Sequence, residues 1–144
     1  MAFLDSMSIS ASALTATRLR MDVIAENMAN SNTTRTENGE PYRRRYVVFQ
    51  EKTNDNAFAS FFNKARTTPG GVRVLRIGED TSEFKYDYNP SHPDADENGY
   101  VRYPNVEVVQ EMVDMMSAYR AYEANITAIN TFKDMAVKTL EIGK

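Results

Sequence analysis

Apolar residues recur at heptad spacing at both ends of this chain and alternate, strand-like, in three short stretches between them. Near the N-terminus Leu4, Ala11, Arg18 and Ala25 share one heptad position, and Met7, Leu14, Met21 and Met28 share its partner. Steps of four and three of this kind make a single helical stripe, broken here only by Arg18. A helix from Leu4 to Asn30 is predicted, about 40 Å long at ~1.5 Å per residue. It should end where Asn30-Ser31-Asn32-Thr33-Thr34 begins, because those side chains hydrogen-bond their own backbone and compete with the helix.

The C-terminal stripe is longer. Val108, Met112, Met115, Tyr119, Tyr122, Ile126, Ile129, Ala136 and Leu140 keep heptad register, with Lys133 as the one polar intruder. Asn105 after Pro104 predicts the N-cap, and Glu107 and Glu111 favour the positive end of the helix dipole. Lys133, Lys138 and Lys144 suit the far end, where Gly143 is placed as a stop. Such a helix spans about 55 Å at ~1.5 Å per residue. Val106, Val109, Val113, Met116, Ala121 and Phe132 lie off the main seam and widen its apolar surface. One partner helix does not cover that much surface, which implies further helices from neighbouring subunits. Isolated helices are marginal in water, so both ends are expected to be poorly ordered in a free monomer and to fold as subunits assemble.

The middle is built differently. All five prolines, and every glycine except Gly143, lie between Gly39 and Pro104, while all eight methionines lie outside that stretch. Alternation predicts strands within Pro41 to Lys52, Val72 to Ile77 and Phe84 to Tyr88, with turns at Pro69-Gly70-Gly71 and Gly78-Glu79-Asp80. Thr53 to Thr68 is polar apart from Phe58, Phe61 and Phe62 and is expected to be a loop with one helical turn. Asn89 to Asn105 is expected to be a rigid, turn-rich connector. The predicted fold class is mainly α with a small β insertion. Long N- and C-terminal helices pair as an antiparallel coiled coil, linked by a turn-rich segment with a short β-hairpin or sheet. The expected divisions are 1–34 for the N-terminal helix, 35–104 for the insertion and 105–144 for the C-terminal helix.

Composition and charge remove several kinds of chemistry. The 144 residues carry 17 basic and 20 acidic side chains, a net charge of −3, so the clustered cationic surplus that drives nucleic-acid binding is missing. Arg43-Arg44-Arg45 would split across two faces of a strand, in a solvated structural role. No apolar run approaches a membrane span, and no basic segment followed by an apolar one marks a cleaved secretion signal. There is no cysteine, hence neither disulfide nor thiol chemistry. Asp94, Asp96, Asn98 and Gly99 reproduce the first half of a calcium loop, but Asn105 stands where the bidentate glutamate belongs. His92, the single histidine, sits between Ser91 and Pro93 with no second ligand, and hydrogen bonding within the turn is its expected role. No catalytic residue, metal site or cofactor is predicted.

Three segments carry a family resemblance. Ile24-Ala25-Glu26-Asn27-Met28-Ala29-Asn30-Ser31-Asn32-Thr33 resembles the N-terminal signature of the bacterial flagellar rod and hook proteins, the axial family. Glu111-Met112-Val113-Asp114-Met115-Met116 with Arg120-Ala121-Tyr122-Glu123-Ala124-Asn125 resembles their C-terminal helix. The connector from Asn89 to Asn105, with Ser91-His92-Pro93-Asp94-Ala95-Asp96-Glu97-Asn98-Gly99-Tyr100-Val101 inside it, resembles more narrowly that of a proximal rod member; Tyr103 there and Tyr119 in the C-terminal segment are small departures. Thr53 to Thr68 carries no resemblance.

The resemblance implies a structural subunit of the periplasmic driveshaft between rotor and hook. It also implies export in unfolded form by the flagellar type III apparatus, without a cleaved signal peptide. Terminal helices would form an inner coiled-coil layer around the export channel. Partners would be other rod subunits, the rod base and the bushing rings. The assembly interface is expected to use Leu4, Met7, Leu14, Met21, Met28, Met112, Met115, Tyr119, Tyr122, Ile126 and Ile129. Asn27, Asn30, Arg120, Glu123 and Asn125 are the expected polar contacts. Two other readings compete: a coiled-coil adaptor or secretion chaperone that never polymerises, and a wall hydrolase, which would need a catalytic acid pair in a cleft.

Overall fold

The computed structural model describes residues 2–52 and 70–142, with side chains from 5 to 141 within those ranges. The element order is α1 (Ala2–Ala29), β1 (Arg45–Glu51), β2 (Val72–Glu79), β3 (Lys85–Tyr88), β4 (Tyr100–Tyr103) and α2 (Val108–Ile142). The chain is mainly helical with a small β part. The two terminal helices pack against each other, and β1 and β2 pack on α1. The expected loop at Thr53 to Thr68 and the stop at Gly143 lie outside the described residues.

α1 ends where the Asn/Thr-rich segment begins. Asn30 Nδ2 donates to the carbonyl of Glu26 and Thr33 Oγ1 donates to Asn30 Oδ1, so local polar side chains take over from the helical ladder. α2 starts at Val108, two residues later than an N-cap at Asn105 would place it. Asn105 is not its N-cap: the Glu111 N–H donates to the carbonyl of Glu107, and the Asn105 amide is committed elsewhere.

β1 and β2 form an antiparallel hairpin, with Arg45 opposite Glu79 and Glu51 opposite Val72. The register shifts between Val48 and Phe49, which face Arg76 and Val74. Leu75 is thus an extra residue, and it is 54% exposed. Ser12 of α1 docks this hairpin: its hydroxyl accepts the Val72 N–H at 3.1 Å and donates to the Ile9 carbonyl at 2.7 Å.

The connector contains a strand that alternation in the sequence did not reveal. Tyr100–Tyr103 pairs with Lys85–Tyr88, so a second antiparallel hairpin replaces the single expected strand. Four residues show only two alternations, too few to stand out beside Pro104 and Gly99. Val101 is fully buried. The hairpin turn depends on Gly99, whose φ is +82° and whose missing Cβ would lie 3.0 Å from the Tyr88 ring and 3.2 Å from Pro90. Gly99→Ala should cost about 1–2 kcal/mol through the left-handed conformation alone, read as a lowered denaturation midpoint; an unchanged midpoint would contradict this backbone.

Asp96 Oδ1 closes the same turn by accepting the N–H groups of Asn98 and Tyr100. Asp94 accepts the Thr34 hydroxyl at 2.8 Å and pairs with Arg35. His92 Nδ1 accepts the Asp94 N–H at 3.1 Å, a bond within the turn. The half calcium loop therefore works as a polar brace between the segment after α1 and the second hairpin. Among the described residues no three acidic or histidine side chains gather in metal-binding geometry.

Candidate assembly site

The end of α1 meets the start of α2 at a buried polar clasp. Asn27 is fully buried, and its amide uses every hydrogen-bonding position it has. Nδ2 donates to the Arg45 carbonyl at 2.8 Å and to Glu111 Oε2 at 3.0 Å. Oδ1 accepts the Arg45 N–H and the Tyr42 hydroxyl, both at 2.9 Å. One side chain thereby pairs with both backbone groups of the first β1 residue and holds the first turn of α2.

Glu111 is also fully buried. Its second oxygen accepts Arg44 Nε at 2.6 Å, and the same guanidinium reaches Asp114 at 3.6 Å and Asp80 at 4.0 Å. Breaking such a buried pair leaves an uncompensated charge, which is costly. Arg44 is backed by Asn105, which accepts its N–H at 2.8 Å and donates to the Asp80 carbonyl and to Ser82 Oγ. The Ser82 N–H and hydroxyl hold the Asp80 carboxyl below the usual carboxylate range, with Arg44 adding to the effect.

Of the arginine triplet only Arg45 lies in a strand, so no strand pleat divides the three, and Arg44 is half-buried rather than solvated because the buried Glu111 draws it in. Arg45 pairs with Glu26 at 2.8 Å and with Glu79 at 3.7 Å, and Arg43 lies 4.3 Å over the Phe84 ring. Every buried side-chain polar atom among the described residues has a partner, as a network in a low-dielectric site requires.

Burial pushes the Tyr42 hydroxyl up to about 12, and the Glu26 carboxylate adds to the shift. Because the folded value lies above the unfolded one, this contribution is complete below pH 10 and is lost as pH rises towards 12. A loss of about 2–3 kcal/mol across that window is expected at ~1.4 kcal/mol per unit. Alkaline denaturant titrations of the wild type and Tyr42→Phe should therefore converge; parallel curves would refute the assignment.

The sequence-predicted interface residues fall into two sets. Leu14, Met21, Met28, Met115, Tyr122 and Ile129 are half-buried in the single chain. Met7, Met112, Tyr119 and Ile126 are exposed, and the Leu4 side chain lies outside the described set. Of the polar candidates, Asn27 is in the clasp, and Asn30 and Asn125 bond the carbonyls of Glu26 and Ala121 one turn back. Arg120 and Glu123 face solvent. Sequence reasoning missed the joint role of Tyr42, Arg44, Asn105 and Glu111. No periodic signal marked them: the heptad-equivalent positions of Glu111 are Ala118, Asn125, Phe132 and Thr139, a mixed set.

Two long terminal helices, a polar clasp and an open apolar flank define a subunit built for helical packing with others. Two family models match the corresponding parts of the chain: "Flagella basal body rod protein" over residues 7–35, and "Flagellar basal body rod FlgEFG protein C-terminal" over residues 97–142. The chain is 50% identical to the flagellar basal-body rod protein FlgC of Bacillus subtilis, over 96% of this chain and 97% of that one. It is 45% identical to FlgC of Borreliella burgdorferi, over 99% and 98%. With FlgC of Escherichia coli O157:H7 it shares 42% identity over the full length of both. The chain belongs to the FlgC family of flagellar basal-body rod proteins, which are structural subunits of the rod.

Proposed function

We propose that this chain polymerises through its terminal helices into the periplasmic driveshaft that carries torque from rotor to hook and surrounds the export channel. The observation that carries this reading is the apolar surface one chain leaves open on α2. Val109, Val113, Met116 and Tyr119 are 63%, 49%, 57% and 58% exposed. Water-exposed stripes of this length mark surfaces that other protein covers. The antiparallel pairing of α1 with α2 is supported by the bond from Asn27, at the end of α1, to Glu111, at the start of α2. Residues 1–34 and 105–144 then form one terminal domain, with 35–104 inserted.

Other rod subunits, the rod base and the bushing rings are the proposed partners, and the flagellar type III apparatus is the proposed route of export without a cleaved signal. The chain has no enzymatic role in this reading; Asp94 and Asp96 brace turns. No described helix is long and apolar enough to cross a membrane.

Fractionation tests the proposal: the chain should co-purify with basal bodies, and its deletion should abolish motility. A chain that stays in the soluble fraction would favour the adaptor or chaperone reading. The ends are proposed to complete their folding on assembly, so circular dichroism should show helicity rising sharply from monomer to assembled rods. A monomer already fully helical would contradict coupled folding.

A further inference from the structure

The exposed faces of the two helices carry matching ladders. On α1 the exposed positions run from Ser8 to Ala29 in alternating steps of three and four, through Ala11, Thr15, Arg18, Asp22 and Ala25. On α2 they run from Met112 to Lys133 in the complementary order, through Met116, Tyr119, Glu123, Ile126 and Asn130. The α1 ladder is flat, mostly Ala, Ser and Thr, whereas the α2 ladder is bulky. Small residues facing large ones let two helices approach closely and interdigitate.

We infer that the α1 ladder of one copy receives the α2 ladder of a second copy, antiparallel, with Arg18 against Glu123. This contact presupposes the rod-subunit role proposed above. In that register Ala29 meets Met112, Ala25 meets Met116, Thr15 meets Ile126, and Asp22 meets the Tyr119 hydroxyl, which can donate to it. Charge selects this alignment among those that keep the ladders in phase. Sliding by one heptad sets Asp22 against Met112 or Ile126. Parallel alignments set Arg18 against Ile126, against Lys133, or against Tyr119 with Asp22 facing Glu123. Each of these leaves a charge facing an apolar side chain or a like charge, which rejects the wrong register. Arg18, Asp22 and Glu123 make no ion pair with another described residue, so they are available for this one.

The two ladders are different surfaces of the chain, so the contact is head-to-tail. Repeated, it builds a ring or an open helical array rather than a closed two-fold dimer, and the rod role selects the helical array. The α1 ladder also borders an open groove of about 600 Å³ between α1 and β2, into which Thr15, Arg18 and Asp22 face. The next copy's α2 side chains have room there.

The natural chain has no cysteine, so it contributes no background to a crosslinking test. Ala25→Cys and Met116→Cys are made as separate variants and co-expressed, and purified basal bodies are treated with a mild oxidant. A species of twice the 16.3 kDa chain mass should appear at least tenfold above that from either variant alone. Basal bodies containing both variants but no such dimer would overturn the contact while leaving the rod role intact, since that role is read from the wild-type chain in the same fraction. A crosslink to a protein of different mass would also overturn it, because the occupant would then not be a second copy. Should the cysteine variants yield no basal bodies, charge reversal decides. Arg18→Glu and Glu123→Arg should each cut the motile fraction at least tenfold, and the double variant should restore most of it. Failure to restore would overturn the pairing.

Discussion

Asn27→Leu is expected to lower the stability of the folded chain by about 3–5 kcal/mol, because it strands several buried polar groups at ~1–3 kcal/mol each. The Arg45 N–H and carbonyl and one Glu111 oxygen would all lose a partner in a site that water does not reach. Against a total of about 5–15 kcal/mol for a domain, the loss is severe. Asn27→Asp, though isosteric, should be nearly as harmful. A carboxylate cannot donate to the Arg45 carbonyl, and it would set a second negative charge beside Glu111. Denaturant midpoints of the two variants check this directly. If either falls by less than about 1 kcal/mol, well below the mutational range for breaking a buried network, then the clasp does not hold the helices together.

Ile126→Asp should act in the opposite way. Ile126 is 38% exposed in the single chain, so an aspartate there should shift isolated stability by no more than about 0.5 kcal/mol, as surface substitutions do. Covered by a neighbouring subunit, the same carboxylate would be a buried, unpaired charge costing several kcal/mol, on the order of the desolvation penalty of an isolated ion. Rods should fail to form and motility should be lost while the free chain remains as stable as before. A motile strain with intact rods carrying Ile126→Asp would count against the whole exposed face of α2 as an interface. The contrast between the two variants is itself informative: Asn27 acts within one chain, Ile126 between chains.

Much of the fold was legible because it is written in local chemistry. The heptad stripes announced both helices, and the Asn/Thr-rich run after Met28 stopped α1 within one residue of the expected end. Short runs rich in branched and aromatic residues placed β1, β2 and β3, with one-faced alternation cleanest in β3, where Tyr86 and Tyr88 alternate with Lys85 and Asp87. β4 escaped because two alternations beside a glycine and a proline look like a turn. Asn105 misled for a related reason: an asparagine before a helix is a good cap by propensity, yet here its amide ties Arg44 to Asp80 and Ser82 across the fold.

The α2 stripe shows the limit of periodicity most clearly. Met115, Tyr122 and Ile129 are half-buried in the single chain while Met112, Tyr119 and Ile126 are exposed, though all six belong to one apolar face in the sequence. A broad stripe states that a helix has more than one neighbour; it does not say which side faces which.

By itself, the amino-acid order determined two amphipathic helices, short strands between them, and a chemistry without thiol or cationic surplus. These follow from spacing and composition along a few consecutive turns. Only the tertiary structure decided that Asn27, Tyr42, Arg44, Asn105 and Glu111 share one site. They come from segments up to 84 residues apart, and pairing among buried polar groups depends on where the backbone has already brought them.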